Sequence, residues 1–245
     1  MSFSNIKGII FDLGYTLIDY KETGWPKVRQ EALQSGFLKL QANHVNLPEF
    51  DKFVSMYQTK KEEYRRRNFN AMLGWNIIDV IKDLLDEFDV KDSLKYSRDF
   101  IETVYDIERK QMIIDNSTIE ILRSFKDRGF RIGVISNTIY PAYLHENDMK
   151  MFGWNQYFDF QIYSSECKYR KPHPSIFEAA INVIGLPAEN SIYVGDRYRL
   201  DGLGAQKAGL IPVIKYCKKQ TYPDQWPDGF SVIDNVSELP DLLKI

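Results

Sequence analysis

The chain has 245 residues, 44% of them apolar, with 15 Phe and 15 Tyr, enough apolar mass for a full core, which excludes a disordered chain. Thirty-two basic against 34 acidic side chains leave a net charge of −2, without the electrostatic footprint of a nucleic-acid or anionic-membrane binder. No apolar stretch reaches the length of a membrane span, Met1–Lys7 carries no apolar leader, and Cys167 and Cys217 form no C-x-x-C metal spacing; a cytoplasmic protein with two reduced thiols is expected.

The first element is a short apolar run, Ile6–Phe11, stopped by Asp12 and followed by a turn containing Gly14. Too short for a helix, it reads as a buried parallel strand that delivers Asp12 to the carboxyl edge of a sheet. From Glu22 onward the texture becomes helical. Pro26 opens one helix, Glu49–Arg67 shows Phe50, Phe53, Met56 and Tyr57 at helical spacing, and Trp75–Glu87 and Ser93–Lys110 follow. These stretches form an insert of roughly ninety residues, the size of a small domain. Residues 21–112 are therefore expected as a helical cap, and residues 1–20 with 113–245 as the core.

After the insert, helix and strand alternate. A helix capped by Asn116 and Ser117 precedes the strand Arg131–Ile135, then a helix at Ala142–Met151 and the strand Phe158–Tyr163. The helix Pro174–Ile184, the strand Ser191–Val194, the helix Gly202–Ala208 and the strand Ile211–Tyr216 complete the series. Repeated β-α units predict a three-layer, Rossmann-like, doubly wound parallel α/β sheet with right-handed crossovers. The insert leaves at the edge that carries Asp12, so it is placed to cover that edge.

Four strand ends carry chemistry. Asp12 ends the first, with Thr16 four residues on; Ser136-Asn137-Thr138 ends the second; Lys171 sits before a helix; and Val194-Gly195-Asp196 is followed by Asp201. Carboxylates converging in a confined space resist ionising together, and a divalent cation removes the conflict. Few oxygen ligands, with room for water and a phosphate oxygen, suit Mg²⁺. Lys171 would hold phosphate oxygens as a point charge, and an ionised Asp in line with phosphorus is a reasonable nucleophile.

Blander readings stand beside these. Asp196 and Asp201 are competent helix caps, Ser136 a strand-end cap, and Lys171 an ordinary exposed lysine. His173 reads as a turn residue, and Arg65-Arg66-Arg67 as a solvated helix face. Asn68–Trp75 is either a substrate-facing loop or a plain connection between helices.

In order, Phe11-Asp12-Leu13-Gly14-Tyr15-Thr16-Leu17, Val134-Ile135-Ser136-Asn137, Arg170-Lys171-Pro172 and Val194-Gly195-Asp196 with Asp201 resemble the four motifs of the haloacid dehalogenase superfamily, in its subfamily with a helical cap after the first strand. That resemblance implies a Mg²⁺-dependent phosphatase acting on a small phosphorylated metabolite through an aspartyl-phosphate. Asp12 would be nucleophile and metal ligand. Thr16, Ser136, Asn137 and Lys171 would form the substrate-binding set, Lys171 serving catalysis too. Asp196, Asp201 and the carbonyl of Gly14 would complete the metal site. A monomer or homodimer is expected.

One position departs from the family pattern. Family phosphatases usually carry a proton-transferring Asp two residues after the nucleophile, and here that residue is Gly14. Water, Tyr15, a cap residue or the substrate could assist instead. The alternatives are 2-haloacid dehalogenase chemistry, whose branch typically lacks the Asp196 metal site, and a catalytically weak phosphometabolite-binding protein.

Overall fold

The computed structural model describes Phe3 and residues 5–245; residues 1, 2 and 4 of the expected core segment lie outside the described residues. In chain order the elements are β1 (Gly8–Phe11), β2 (Ile18–Tyr20), α1 (Trp25–Ala42), α2 (Phe50–Phe69), α3 (Ile77–Asp86), α4 (Ser93–Glu108), β3 (Met112–Ile114) and α5 (Ser117–Asp127). They continue with β4 (Arg131–Ser136), α6 (Ala142–Met151), β5 (Phe160–Tyr163), α7 (Pro174–Ile184), β6 (Ser191–Gly195), α8 (Leu203–Lys207), β7 (Ile211–Lys215), β8 (Ser231–Ile233) and α9 (Leu239–Leu243).

Six strands form one sheet in the order β5-β4-β1-β6-β7-β8, every pair parallel. The expected doubly wound α/β sheet is present. The chain order turns on β1, which pairs with β4 on one side and β6 on the other, with Phe11 level with both Val134 and Val194. That register brings the residues just beyond these strands to one edge at the switch point, where open α/β sheets bind ligands.

Strand side chains alternate between the two faces. Ile9, Phe11, Ile132, Val134, Ile192 and Val194 belong to one buried cluster with Leu122 and Phe125 of α5. Ile10, Ile135 and Tyr193 belong to another, with Ile176, Phe177 and Ala180 of α7. A third core, built on Phe37, Phe53, Ile81, Leu84, Phe100 and Ile101, lies within α1–α4 and takes in Leu144 of α6.

Three details differ from the sequence reading. β2 and β3 pair as an antiparallel ribbon where the chain enters and leaves the helical insert; at three residues each they are too short to carry a periodic signal. β8 and α9 extend the fold beyond Tyr216, where no element was predicted. The predicted helix Gly202–Ala208 is preceded by a wide turn over Tyr198–Gly202, in which the backbone N–H of Asp201 donates to Arg197 O at 2.8 Å and the Asp201 carboxylate accepts the N–H of Arg197 at 2.9 Å. Local side-chain bonding of this kind competes with regular helix. Among the described residues no helix is long and apolar enough to cross a membrane.

Candidate active site

Lys171 is the buried centre of the site, 2% exposed. Its ammonium lies 2.8 Å from Asp12 Oδ1 and 2.7 Å from Asp201 Oδ1, and donates to Ile135 O at 3.0 Å and to the Tyr193 hydroxyl at 2.7 Å. An ammonium is tolerated there only because it is fully partnered. Burial opposes its charge, yet Asp12 and Asp201 outweigh burial and raise its pKa. Position comes from Asn137, whose amide clasps the Lys171 main chain: Oδ1 accepts the N–H at 2.8 Å and Nδ2 donates to the carbonyl at 2.9 Å.

Asp12, Asp196 and Asp201 each bring a carboxylate oxygen within 4.8 Å of the others, and all three are buried. Burial raises the pKa of Asp12 against the pull of Lys171, and pushes Asp196 up to about 7, helped by the charges of Asp12 and Asp201. Asp196 Oδ2 accepts from Gln220 Nε2 at 2.8 Å, whereas its buried Oδ1 has no donor among the described residues. An orphaned buried carboxylate oxygen is costly, and a cation beside it removes the cost. Three crowded carboxylates with one orphaned oxygen fit a divalent cation with oxygen ligands. The close approach of Asp201 depends on Gly195, where a Cβ would lie 2.5 Å from Asp201 Cβ and Cγ.

A cavity of about 510 Å³ opens over this cluster. Asp12, Gly14, Ser136 and Lys171 line it from the sheet edge, and Tyr105 and Glu108 of α4, with Arg109 just after it, face them from the helical insert. The sheet edge therefore brings together Asp12, Gly14, Ser136, Asn137, Lys171 and Asp201 around one space, with Asp196 beside them under Gln220. Of the expected substrate contacts, Thr16 lies away from this space. Thr16 is 1% exposed and lines a separate, smaller cavity with Asp115, Thr118 and Lys215. Asn137 borders the main cavity but spends its amide on Lys171.

His173 lies outside the cavity lining; it caps α7 through Nδ1, which accepts the Ser175 N–H, and stacks on Tyr169 at 3.7 Å. Arg65 pairs with Glu62 on the solvent face of α2. Tyr193, Gln220 and Tyr222 were not anticipated. Tyr193 carried one signal, since a phenol in an otherwise aliphatic buried strand requires a hydrogen-bond partner. Tyr222, which donates to Asp196 O at 2.9 Å, and Gln220 sit in a loop with no local pattern to mark them.

Comparison with known proteins agrees with this fold. The haloacid dehalogenase-like hydrolase family matches residues 6–209. The chain belongs to that family. This hydrolase is 28% identical over 242 residues to a protein of Methanocaldococcus jannaschii named glyceraldehyde 3-phosphate phosphatase, covering 98% of this chain and 97% of that one. It is 23% identical over 242 residues to pyrophosphatase PpaX of Bacillus cereus, with the same coverage. Among solved structures, a 2-haloacid dehalogenase from Pseudomonas syringae pv. Tomato superposes with a TM-score of 0.72 at 21% identity, covering 98% of each chain. A HAD phosphatase from Thermococcus onnurineus does so with a TM-score of 0.62 at 22% identity, covering 97% of this hydrolase and 98% of that chain. These superpositions speak to the shared fold alone.

Proposed function

We propose that this hydrolase is a Mg²⁺-dependent phosphatase that cleaves a small organic phosphate through an aspartyl-phosphate on Asp12. The carrying observation is the Asp12–Lys171–Asp201 chain of contacts at 2.8 and 2.7 Å beside Asp196, whose Oδ1 has no donor among the described residues. Two full-length relatives named as phosphatases support the same reading. The retained Asp196 favours it over dehalogenation.

In this reading Asp12, Asp196, Asp201 and the Gly14 carbonyl hold the cation, which when bound neutralises charge on the phosphoryl oxygens and the crowded carboxylates. Lys171, fixed by Asn137 and Tyr193, supplies a permanent positive charge where negative charge gathers in the transition state. Ser136 takes a further phosphoryl oxygen. The Asp12 carboxylate oxygen bonds to phosphorus as the bond from phosphorus to the leaving oxygen breaks, and that oxygen acquires a proton from water. A second water then cleaves the acyl phosphate, releasing inorganic phosphate and restoring Asp12. Helices α1 and α4 cover the edge and restrict bulk water.

The test is phosphate release from p-nitrophenyl phosphate. It should stop on EDTA treatment, return with Mg²⁺, and fall by several orders of magnitude in Asp12→Asn, whose circular dichroism should stay native. Turnover of 2-haloacids without metal, and of no phosphate ester, would overturn the reading.

A further inference from the structure

Five side chains form a continuous ladder along one wall of the cavity. Lys219 Nζ lies 5.0 Å from the Tyr15 ring centroid, and the Tyr15 and Tyr20 rings are 5.2 Å apart. The ladder continues from Tyr20 to Trp25 at 6.1 Å, and the Arg29 guanidinium lies 5.4 Å from the Trp25 ring. All five border the same cavity as Asp12 and Lys171. The rings are inclined at 57° and 52°, the tilted arrangement favoured by aromatic quadrupoles, and a cation braces each end. Trp25 is anchored further, its indole N–H donating to Lys21 O at 2.9 Å.

Gly14 brings this wall to the reacting centre. A Cβ at residue 14 would lie 3.7 Å from Tyr20 Cε2 and 3.8 Å from its hydroxyl oxygen. With no side chain there, the Tyr20 ring directly borders the space beside Asp12. Burial raises the pKa of Tyr20, so its phenol stays neutral. No hydrogen bond to that hydroxyl occurs among the described residues, whereas the hydroxyls of Tyr105 and Tyr140, which line the same cavity, are engaged by Asp148 and Glu108.

Lys171, Ser136 and the carboxylates account for the phosphoryl end of a substrate. The remaining volume, in a cavity of about 510 Å³, is bounded on this side by three aromatic rings. Such surfaces select planar π-systems, which gain quadrupole contacts that a saturated group of equal size does not. We infer that the ladder is the leaving-group subsite and that the substrate is the phosphate ester of an aromatic or heteroaromatic alcohol. The inference rests on the phosphatase reading for its chemistry, but the subsite itself is a binding claim.

Benzyl phosphate and cyclohexylmethyl phosphate test it, because they are similar in size and differ in aromaticity, and binding to Asp12→Asn compares them free of leaving-group basicity. We would measure kcat/KM for both esters with Mg²⁺, and Kd for both by calorimetry on Asp12→Asn. The wild type should favour the benzyl ester by about five- to tenfold, and the Asp12→Asn protein should bind it tighter by a similar factor. Trp25→Leu should bring the kcat/KM ratio toward one. Equal treatment of the two esters by the wild type would overturn the subsite. So would a Trp25→Leu effect that lowers both equally, the signature of a mere brace between α1 and the sheet edge. If neither ester is hydrolysed but the benzyl ester still binds about five- to tenfold tighter, the phosphatase reading fails and the subsite stands; if neither binds, both fail.

Discussion

A Cβ placed on Gly14 would meet nothing closer than Tyr20 Cε2 at 3.7 Å, and the positive φ in this turn belongs to Tyr15, at 59°, not to residue 14. Neither packing nor backbone conformation demands glycine here, so its consequence is chemical. A carboxylic acid at this point could protonate the departing oxygen, a contribution of typically ~10²–10⁴-fold in rate. Without one, rates across a series of esters should fall steeply as leaving-group pKa rises. Gly14→Asp should flatten that dependence, chiefly by raising the rates of the poor leaving groups. A Brønsted plot of kcat/KM for the two proteins checks this, and a wild-type slope that is already shallow would mean that another group supplies the proton. The sheet-edge placement of Asp12 and Asp196 could be read from the chain because each follows a short apolar run, whereas Lys171 and Asp201 carry no such local signal. Spacing brought Thr16 and Asn137 near the site without revealing their immediate surroundings. Asn137 found the Lys171 main chain, and Thr16 turned away from the cavity.

Among the elements, the connection between α2 and α3 illustrates how a loop's role depends on contacts that no local pattern reveals. Asn68–Trp75 does not border the main cavity. It docks backbone to backbone on the segment before Lys171: Gly74 N–H donates to Lys168 O at 3.0 Å, and Arg170 N–H donates to Met72 O at 2.8 Å. Of the two readings open from the sequence, the geometry favours the connection over the substrate-facing loop. The seam requires glycine, because a Cβ on Gly74 would collide with the carbonyl oxygens of Ser164 and Cys167. Backbone carbonyls cannot rotate aside as a side chain can. Gly74→Ala should therefore cost ~1–3 kcal/mol or more and lower the urea midpoint accordingly, with Gly129→Ala, at an open turn with φ 78°, as the control for backbone effects alone. An unchanged midpoint in Gly74→Ala would show that the seam opens freely. The long helices and core strands were legible because their periodicity runs for several turns or ends in turn residues. The β2–β3 ribbon was not, since Ile18–Tyr20 and Met112–Ile114 derive their strand character from each other across the whole insert.

At the scale of the molecule, the helical insert and the sheet core meet in a buried polar network whose centre is His145 of α6. Its Nδ1 lies 3.1 Å from the Tyr105 hydroxyl of α4 and its Nε2 2.8 Å from Thr138 Oγ1, while its ring stacks on Tyr163 at 4.9 Å. Asp148, one turn along α6, accepts from the Tyr105 hydroxyl and pairs with Arg109, just beyond α4, at 2.7 Å. Burial lowers the His145 pKa from 6.5 to about 4, so the folded protein holds a neutral imidazole here. Between those two values the unfolded chain binds a proton that the folded chain does not. Stability contributed by this residue is therefore complete above pH 6.5 and declines as pH falls toward 4, by up to ~1.4 kcal/mol per pH unit. Burial raises the Asp148 pKa, which acts in the opposite sense over the acid range, so the wild-type curve alone does not isolate the histidine. Chemical denaturation of the wild type and His145→Gln at several pH values does. The wild type should lose stability faster than the variant between pH 6.5 and 4.5, and the two should run parallel above pH 7. Equal slopes below pH 6.5 would mean that His145 takes up its proton in the folded state, which its position on the cavity wall allows.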